Sequence, residues 1–276
     1  MEKYGKEQVY FSSLLVEKFP EIYHKICKIL NKHQVAVKEI KNTKDIWCRD
    51  YMPVPIKNNK YCWFNYSPSY LKGYEHLISK QQDITLPKYI ETQFSDIRLD
   101  GGNVIRYKNK AMISDRVYLE NPSIANNTLH QKLETLLKAD VLIVPAIRSD
   151  MTGHADGMVR FLDNHTIITN CLKHEYKYWQ KAMLKACKNH HVELIEIPNK
   201  PIKNLSWYGA RGCYLNYLAL NKVIIQPVFN ETSDEQVINT MEHLFPSKII
   251  EPISMNAIAD LGGLINCISW NINTSA

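Results

Sequence analysis

Short apolar runs, a few residues long and closed off by turn formers, recur along this chain, and amphipathic stretches fall between them. Residues 35–40, 61–66, 104–106, 111–114, 141–144, 166–169, 192–197, 214–220 and 223–227 have the composition and length of strands. Residues 123–138, 173–190 and 233–244 carry helical spacing instead. The runs 214–220 and 223–227, joined by Asn221-Lys222, read as a β-hairpin with a two-residue turn. Near the start, Phe11, Leu14, Leu15, Phe19, Ile22, Ile26 and Leu30 give residues 7–31 a helical period. Pro20 divides that stretch into two helices, the second starting near the proline. Strand pairs alternating with single helices predict a mixed α/β architecture built from similar units. No low-complexity tract, charge block or Gly/Ser linker interrupts it, so one domain over residues 1–276 is expected.

A chain of 276 residues that is 45% hydrophobic and 22% charged has a soluble globular composition. At this length folding buries roughly 70–75% of the unfolded surface, so no disulfide or metal staple is required. The seven cysteines (27, 48, 62, 171, 187, 213 and 267) are scattered, with no CxxC and no Cys/His pair at zinc-finger spacing. That argues against a disulfide framework and against a structural metal site. No apolar run approaches a membrane span, and no apolar segment follows Met1 to Lys6, so a cytoplasmic protein is expected. The net charge of +6 comes from dispersed lysines such as Lys25, Lys28, Lys32, Lys38 and Lys41, which argues against a nucleic-acid partner.

Four segments place reactive or strongly polar residues beside glycines, aromatics or apolar runs. In Trp47-Cys48-Arg49-Asp50 a carboxylate follows a tryptophan in a run heading toward strand; burying it is costly unless it is paired, and an Arg49–Asp50 surface pair is the plain alternative. In Asp100-Gly101-Gly102-Asn103 two glycines form a turn or let a ligand approach the backbone. In Gly153-His154-Ala155-Asp156 the His and Asp stand two apart, so an extended segment would point both to one side, ready to present an acid/base and an anion to one substrate. In Gly262-Gly263-Leu264-Ile265-Asn266-Cys267 a cysteine follows a glycine pair; a thiolate there would be a strong nucleophile, although most free cysteines are small buried hydrophobes.

Taken in order, Trp-x-x-Asp, Asp-Gly-Gly-Asn, Gly-His-x-Asp and Gly-Gly-x-x-x-Cys, this chain resembles the agmatine deiminase and bacterial-type peptidylarginine deiminase family of the guanidine-modifying, or pentein, superfamily. Residues 111–122, the aromatic-Asn-aromatic run Tyr214-Leu215-Asn216-Tyr217 and residues 223–229 resemble the family too, so the likeness runs from about Asp45 to Trp270. The resemblance implies a pentein-type α/β propeller of five ββαβ-like units around a pseudo-fivefold axis, with the active site in its central channel. It implies that Cys267 is the nucleophile, His154 the acid/base, and Asp50 and Asp156 the carboxylates that hold a guanidinium. Trp47, Asn103 and Gly263 are implied to border the substrate. No metal or organic cofactor is needed. One position departs from the pattern: agmatine deiminases carry His before the cysteine, where this chain has Asn266.

Residue chemistry fits those roles. A guanidinium is planar, permanently charged and well held by carboxylates through paired charge-assisted hydrogen bonds. Its charge would also favour the Cys267 thiolate. The expected partner is a small cationic guanidine, with agmatine first. Arg148 or Arg211, if free to meet a substrate carboxylate, would favour arginine or a C-terminal peptide arginine. An amidinotransferase on the same scaffold and a catalytically silent guanidine- or partner-binding protein are the competing readings. The sequence leaves a homo-oligomer open.

Overall fold

A computed structural model describes residues 6–274. Strand β1 (Lys6–Ser12) leads into helices α1 (Ser13–Lys18) and α2 (Pro20–Lys32), which return the chain to β2 (Ala36–Ile40), parallel to β1. Ser12 caps α1 by accepting from the Leu14 N–H, and Pro20 opens α2, where its missing donor costs nothing. A single turn, α3 (Cys48–Tyr51), precedes an antiparallel pair, β3 (Val54–Lys57) and β4 (Lys60–Asn65), with β5 (Glu91–Arg98) parallel to β4. The next unit repeats the plan with β6 (Val104–Tyr107), β7 (Lys110–Ser114), α4 (Arg116–Glu120), α5 (Asn126–Leu137) and β8 (Asp140–Val144). The fourth uses β9 (Val159–Phe161), β10 (Thr166–Thr169), α6 (Lys177–His190) and β11 (Glu193–Glu196). The fifth uses β12 (Leu218–Ala219), β13 (Val223–Val228), α7 (Asp234–Leu244) and β14 (Ile249–Ser254). After α8 (Asn256–Ala259), β15 (Trp270–Thr274) pairs antiparallel with β1 and supplies the outstanding strand of the first unit.

The result is five three-stranded sheets of one design, the expected pentein-type α/β propeller of five ββαβ units, closed by joining its two ends. In every sheet the middle strand pairs antiparallel on one side and parallel on the other. Such strands are covered on both faces, so they read as near-continuous apolar runs, as in β10 and β13. Outer strands are different. In β5 most residues are exposed or half-buried, and its sequence ETQFSDIR carries no apolar period. No helix among the described residues is long and apolar enough to cross a membrane.

Three local expectations are corrected. Residues 7–12 are strand rather than helix, because β1 lies between β15 and β2; Val9 and Phe11 enter one core while Tyr10 enters another with Trp270 and Tyr61. Of residues 214–220 only Leu218–Ala219 is strand, because the carbonyls of Leu215 and Tyr217 accept from the Arg160 guanidinium instead of a ladder partner. The hairpin turn at Asn221-Lys222 stands, with Leu218 opposite Ile225. The crossover from β4 to β5 holds three single 3-10 turns in place of a helix.

Candidate active site

Each unit is entered through a short irregular segment just before its first strand, and these five segments converge. They are α3, the 3-10 turn Gly101–Asn103, the 3-10 turn Ala155–Gly157, the turn at 213–217 and the loop at 264–268. Hydrogen bonds join them in a closed ring. The Gly102 N–H donates to Asp50 Oδ1 (3.0 Å), the Ala155 N–H to Asn103 Oδ1 (3.2 Å), and the Cys213 thiol to the Gly157 carbonyl (3.3 Å). Asn216 Oδ1 accepts from the N–H of Asn266 (3.2 Å), and the Arg49 N–H donates to the Cys267 carbonyl (3.0 Å). Side chains are therefore held by backbone belonging to neighbouring units, a rigid support for a constellation assembled from distant sequence.

Above this ring lies a cavity of about 540 Å³ lined by Trp47, Asp50, His154, Asp156, Gly263 and Cys267, among others. The Cys267 sulfur sits 3.1 Å from Asn216 Nδ2 and 3.6 Å from Asp156 Oδ2. Asn266 Nδ2 donates to that same Asp156 oxygen at 2.7 Å. His154 is held from both sides, Nε2 2.8 Å from Asp100 Oδ2 and Nδ1 3.5 Å from Asp50 Oδ1. Tyr70 donates its hydroxyl to Asp100 Oδ2 (2.8 Å).

The glycines explain how acids can crowd so closely. A Cβ on Gly102 would lie 2.5 Å from Asp50 Oδ1 and 2.7 Å from His154 Nδ1, and one on Gly101 would strike the Arg49 carbonyl. What approaches Gly102 is the site's own side chains, and what approaches Gly101 is the main chain of α3 and Met52. Gly263 likewise lets the Trp47 ring press against the main chain beside Cys267: a Cβ there would lie 2.5 Å from Trp47 Cζ3 and 3.1 Å from the Cys267 Cβ.

Burial pushes the Cys267 thiol well above its ordinary value, with Asp156 and Asp50 adding to the rise while Asn216 opposes it. Burial also raises Asp50, and takes Asp45, on the same cavity, to about 7. For His154 burial works against the charged form, but Asp50 and Asp100 outweigh it and raise the imidazole, which favours its protonated form. A thiol facing carboxylates beside an imidazolium is a site that gains from an incoming cation. Among the described residues no group of three or more His, Cys, Asp and Glu side chains is arranged to hold a metal ion.

The cavity thus brings together Cys267, His154, Asp156, Asp50, Trp47 and Gly263, and the i, i+2 pair meets through a 3-10 turn instead of a strand. Asp50 likewise sits on a helical turn, and Arg49 is not its surface partner, because its guanidinium is given to the Asn266 carbonyl and to Asn271. Asn103 is not brought to the cavity: it is 3% exposed, and its Oδ1 accepts from the Ser114 and Ala155 N–H groups, pinning two units together. Arg211 is engaged by a carboxylate of its own, and Arg148 is not among the residues that line the cavity. Arg211 makes a two-point pair with Asp260 (3.0 and 2.9 Å), and Arg148 stacks on the Tyr178 ring at 4.9 Å. Sequence reasoning missed Asp100 as the His154 partner and Asn216 as the thiol's donor. The signals were present, since Asp100 opens the Asp-Gly-Gly-Asn motif and Asn216 centres the aromatic-Asn-aromatic run.

The likeness to known proteins agrees with this geometry. The family model for Porphyromonas-type peptidyl-arginine deiminase matches residues 11–272. A putative agmatine deiminase of Mycoplasma mycoides subsp. mycoides SC is 20% identical over 85% of this chain and 76% of its own length. An agmatine deiminase of C. jejuni superposes with a TM-score of 0.79 at 18% identity, covering 98% of this chain and 94% of that one. A putative arginine deiminase from Porphyromonas gingivalis gives 0.77 at 15% identity, covering 99% and 97%. Ring, cavity and family model span the same five units, and the chain belongs to the Porphyromonas-type peptidyl-arginine deiminase family.

Proposed function

We propose that this protein is a hydrolase that deiminates a guanidinium substrate to a ureido product and ammonia, with agmatine, converted to N-carbamoylputrescine, as the first substrate to consider. The observation that carries the reading is the meeting of Cys267, His154, Asp50 and Asp156 on one cavity. Asp50 and Asp156 hold the planar cation, whose charge favours the adjacent thiolate. The Cys267 sulfur attacks the central carbon to give a tetrahedral adduct. His154, held protonated, delivers its proton to the departing nitrogen, and ammonia leaves with the pair from the broken C–N bond. A thiouronium remains. His154 then takes a proton from a water, which adds to the same carbon, and collapse expels the thiolate and leaves the urea.

Agmatine is favoured over arginine because Arg211, on the cavity, is held by Asp260, and Arg148 is not among the cavity's lining residues. A peptide arginine is the second reading; its support is the breadth of the mouth, where Trp207 and Tyr208 line the cavity yet stay exposed. Incubation with agmatine, arginine and arginine peptides, followed by colorimetric assay for ureido product, tests all three beside Cys267→Ala. Product from agmatine that vanishes in the variant supports the reading. Folded protein silent on every guanidine, but forming a new guanidine when an amine acceptor is added, would replace hydrolysis with amidino transfer.

A further inference from the structure

The floor of the cavity rests on two inward-turned guanidinium groups that form no ion pair among the described residues. Arg160 gives Nε and Nη2 to the carbonyls of Leu215 and Tyr217 (2.7 and 3.0 Å) and lies over the Tyr217 ring. Arg49 gives Nε to the Asn266 carbonyl (3.2 Å) and Nη2 to Asn271 Oδ1 (2.9 Å), while its backbone N–H donates to the Cys267 carbonyl (3.0 Å). Three bonds from one residue thus grip the nucleophile segment and the strand that follows it. Every one of those acceptors is neutral.

A cation withdrawn from water without a counter-charge is expensive, and its field reaches nearby groups with little screening. The charged and titratable groups interacting with Arg49 are Cys48, Arg160, Asp156 and Cys267. Those facing Cys267 are Asp156 and Asp50, the latter paired with His154. The thiol therefore shares the cavity with Asp156 and Asp50, while the Arg49 guanidinium bonds the carbonyl of the residue just before it.

We propose that Arg49 is a positioning residue for the nucleophile: it clamps the 266–268 segment to α3 and supplies a positive charge, with no ion-pair partner of its own among the described residues, that favours the Cys267 thiolate before substrate arrives. This rests on reading Cys267 as the nucleophile.

The test is the pH dependence of Cys267 alkylation by iodoacetamide in substrate-free protein, read by mass spectrometry of the Cys267 peptide, with kcat and KM measured alongside. Arg49→Gln should move the profile upward by about one pH unit, making alkylation about tenfold slower at a fixed pH below the midpoint. Arg49→Lys keeps the charge and should leave the midpoint within a few tenths of a unit while lowering kcat. Asn271→Asp leaves the guanidinium in place but gives it a carboxylate partner, and should also move the profile upward. Folded Arg49→Gln or Asn271→Asp protein with an unchanged midpoint overturns the proposal, since a purely mechanical clamp alters stability and not the titration. If Arg49→Gln does not fold, Asn271→Asp decides alone. Full deimination by Cys267→Ala would instead strike the nucleophile reading itself, a separate failure.

Discussion

The floor of the cavity is five short buried segments, each bonded to the next, so that Cys267, Asp156, His154 and Asp50 are each at most 9% exposed. The rim over residues 199–212 is built differently. It runs from the end of the fourth unit to the start of the fifth without helix or strand, and it presents Leu205 and Trp207 at 76% and 75% exposure. A few bonds tie it down, chiefly Ala210 N–H to the Ala259 carbonyl (2.7 Å) and the Arg211–Asp260 pair. The contrast separates two jobs. On the proposed function, chemistry falls to a mutually locked ring in which a displaced group disturbs its neighbours, and substrate choice to a surface loop that leaves Leu205 and Trp207 largely exposed.

The contrast breaks if floor substitutions prove mild or rim substitutions severe. Cys267→Ala should have the largest effect, lowering turnover by at least about 10⁴-fold. Cys213, the other cysteine lining the cavity, is no substitute, because its thiol is turned to the Gly157 carbonyl. Steady-state rates on agmatine measure the loss. Next comes Gly102→Ala, whose methyl would overlap Asp50 and His154. Displacing groups by a fraction of an ångström to make room should cost about 10²-fold in kcat. Near-wild-type kcat there would show that the floor has more give than its packing implies.

Asp100→Asn removes one of the two carboxylates that keep His154 charged. The alkaline limb of kcat should therefore move to lower pH, with about a tenfold loss on that limb. Stability has a matching sign. A raised His pKa contributes fully below about pH 6.5, the unfolded value, and is lost as pH rises through the raised folded value. The melting-temperature gap between wild type and variant should thus narrow with rising pH.

On the rim, Asp260→Asn frees Arg211 from its two-point partner. The preference for agmatine over arginine, measured as a ratio of kcat/KM, should fall by about three- to tenfold, as a free guanidinium becomes available to a carboxylate. Trp207→Ala should change agmatine turnover by less than about twofold, the usual scale for an exposed side chain. A larger loss with peptide arginine than with agmatine would assign the rim to bigger substrates.

Much of the fold is legible in the chain itself. The middle strands β4, β7, β10 and β13 are apolar because both their faces are covered, and α5, α6 and α7 each bury one face of a helical period. Asp50, His154, Asp156 and Cys267 lie in four short motifs whose order, more than any one of them, carries the family resemblance. What the amino-acid sequence determined by itself is therefore local: which segments are covered, and which short motifs carry reactive groups. The tertiary structure decided the rest. β1 reads as helix until β15, from the far end of the chain, pairs with it. Asn103 reads as a ligand contact until the fold turns its amide onto two backbone donors. Asp100, Asn216 and Arg49 acquire their partners only when the five entry segments meet. Those partners lie on other units, tens to hundreds of residues away, and a hydrogen bond between remote segments leaves no periodicity in either one.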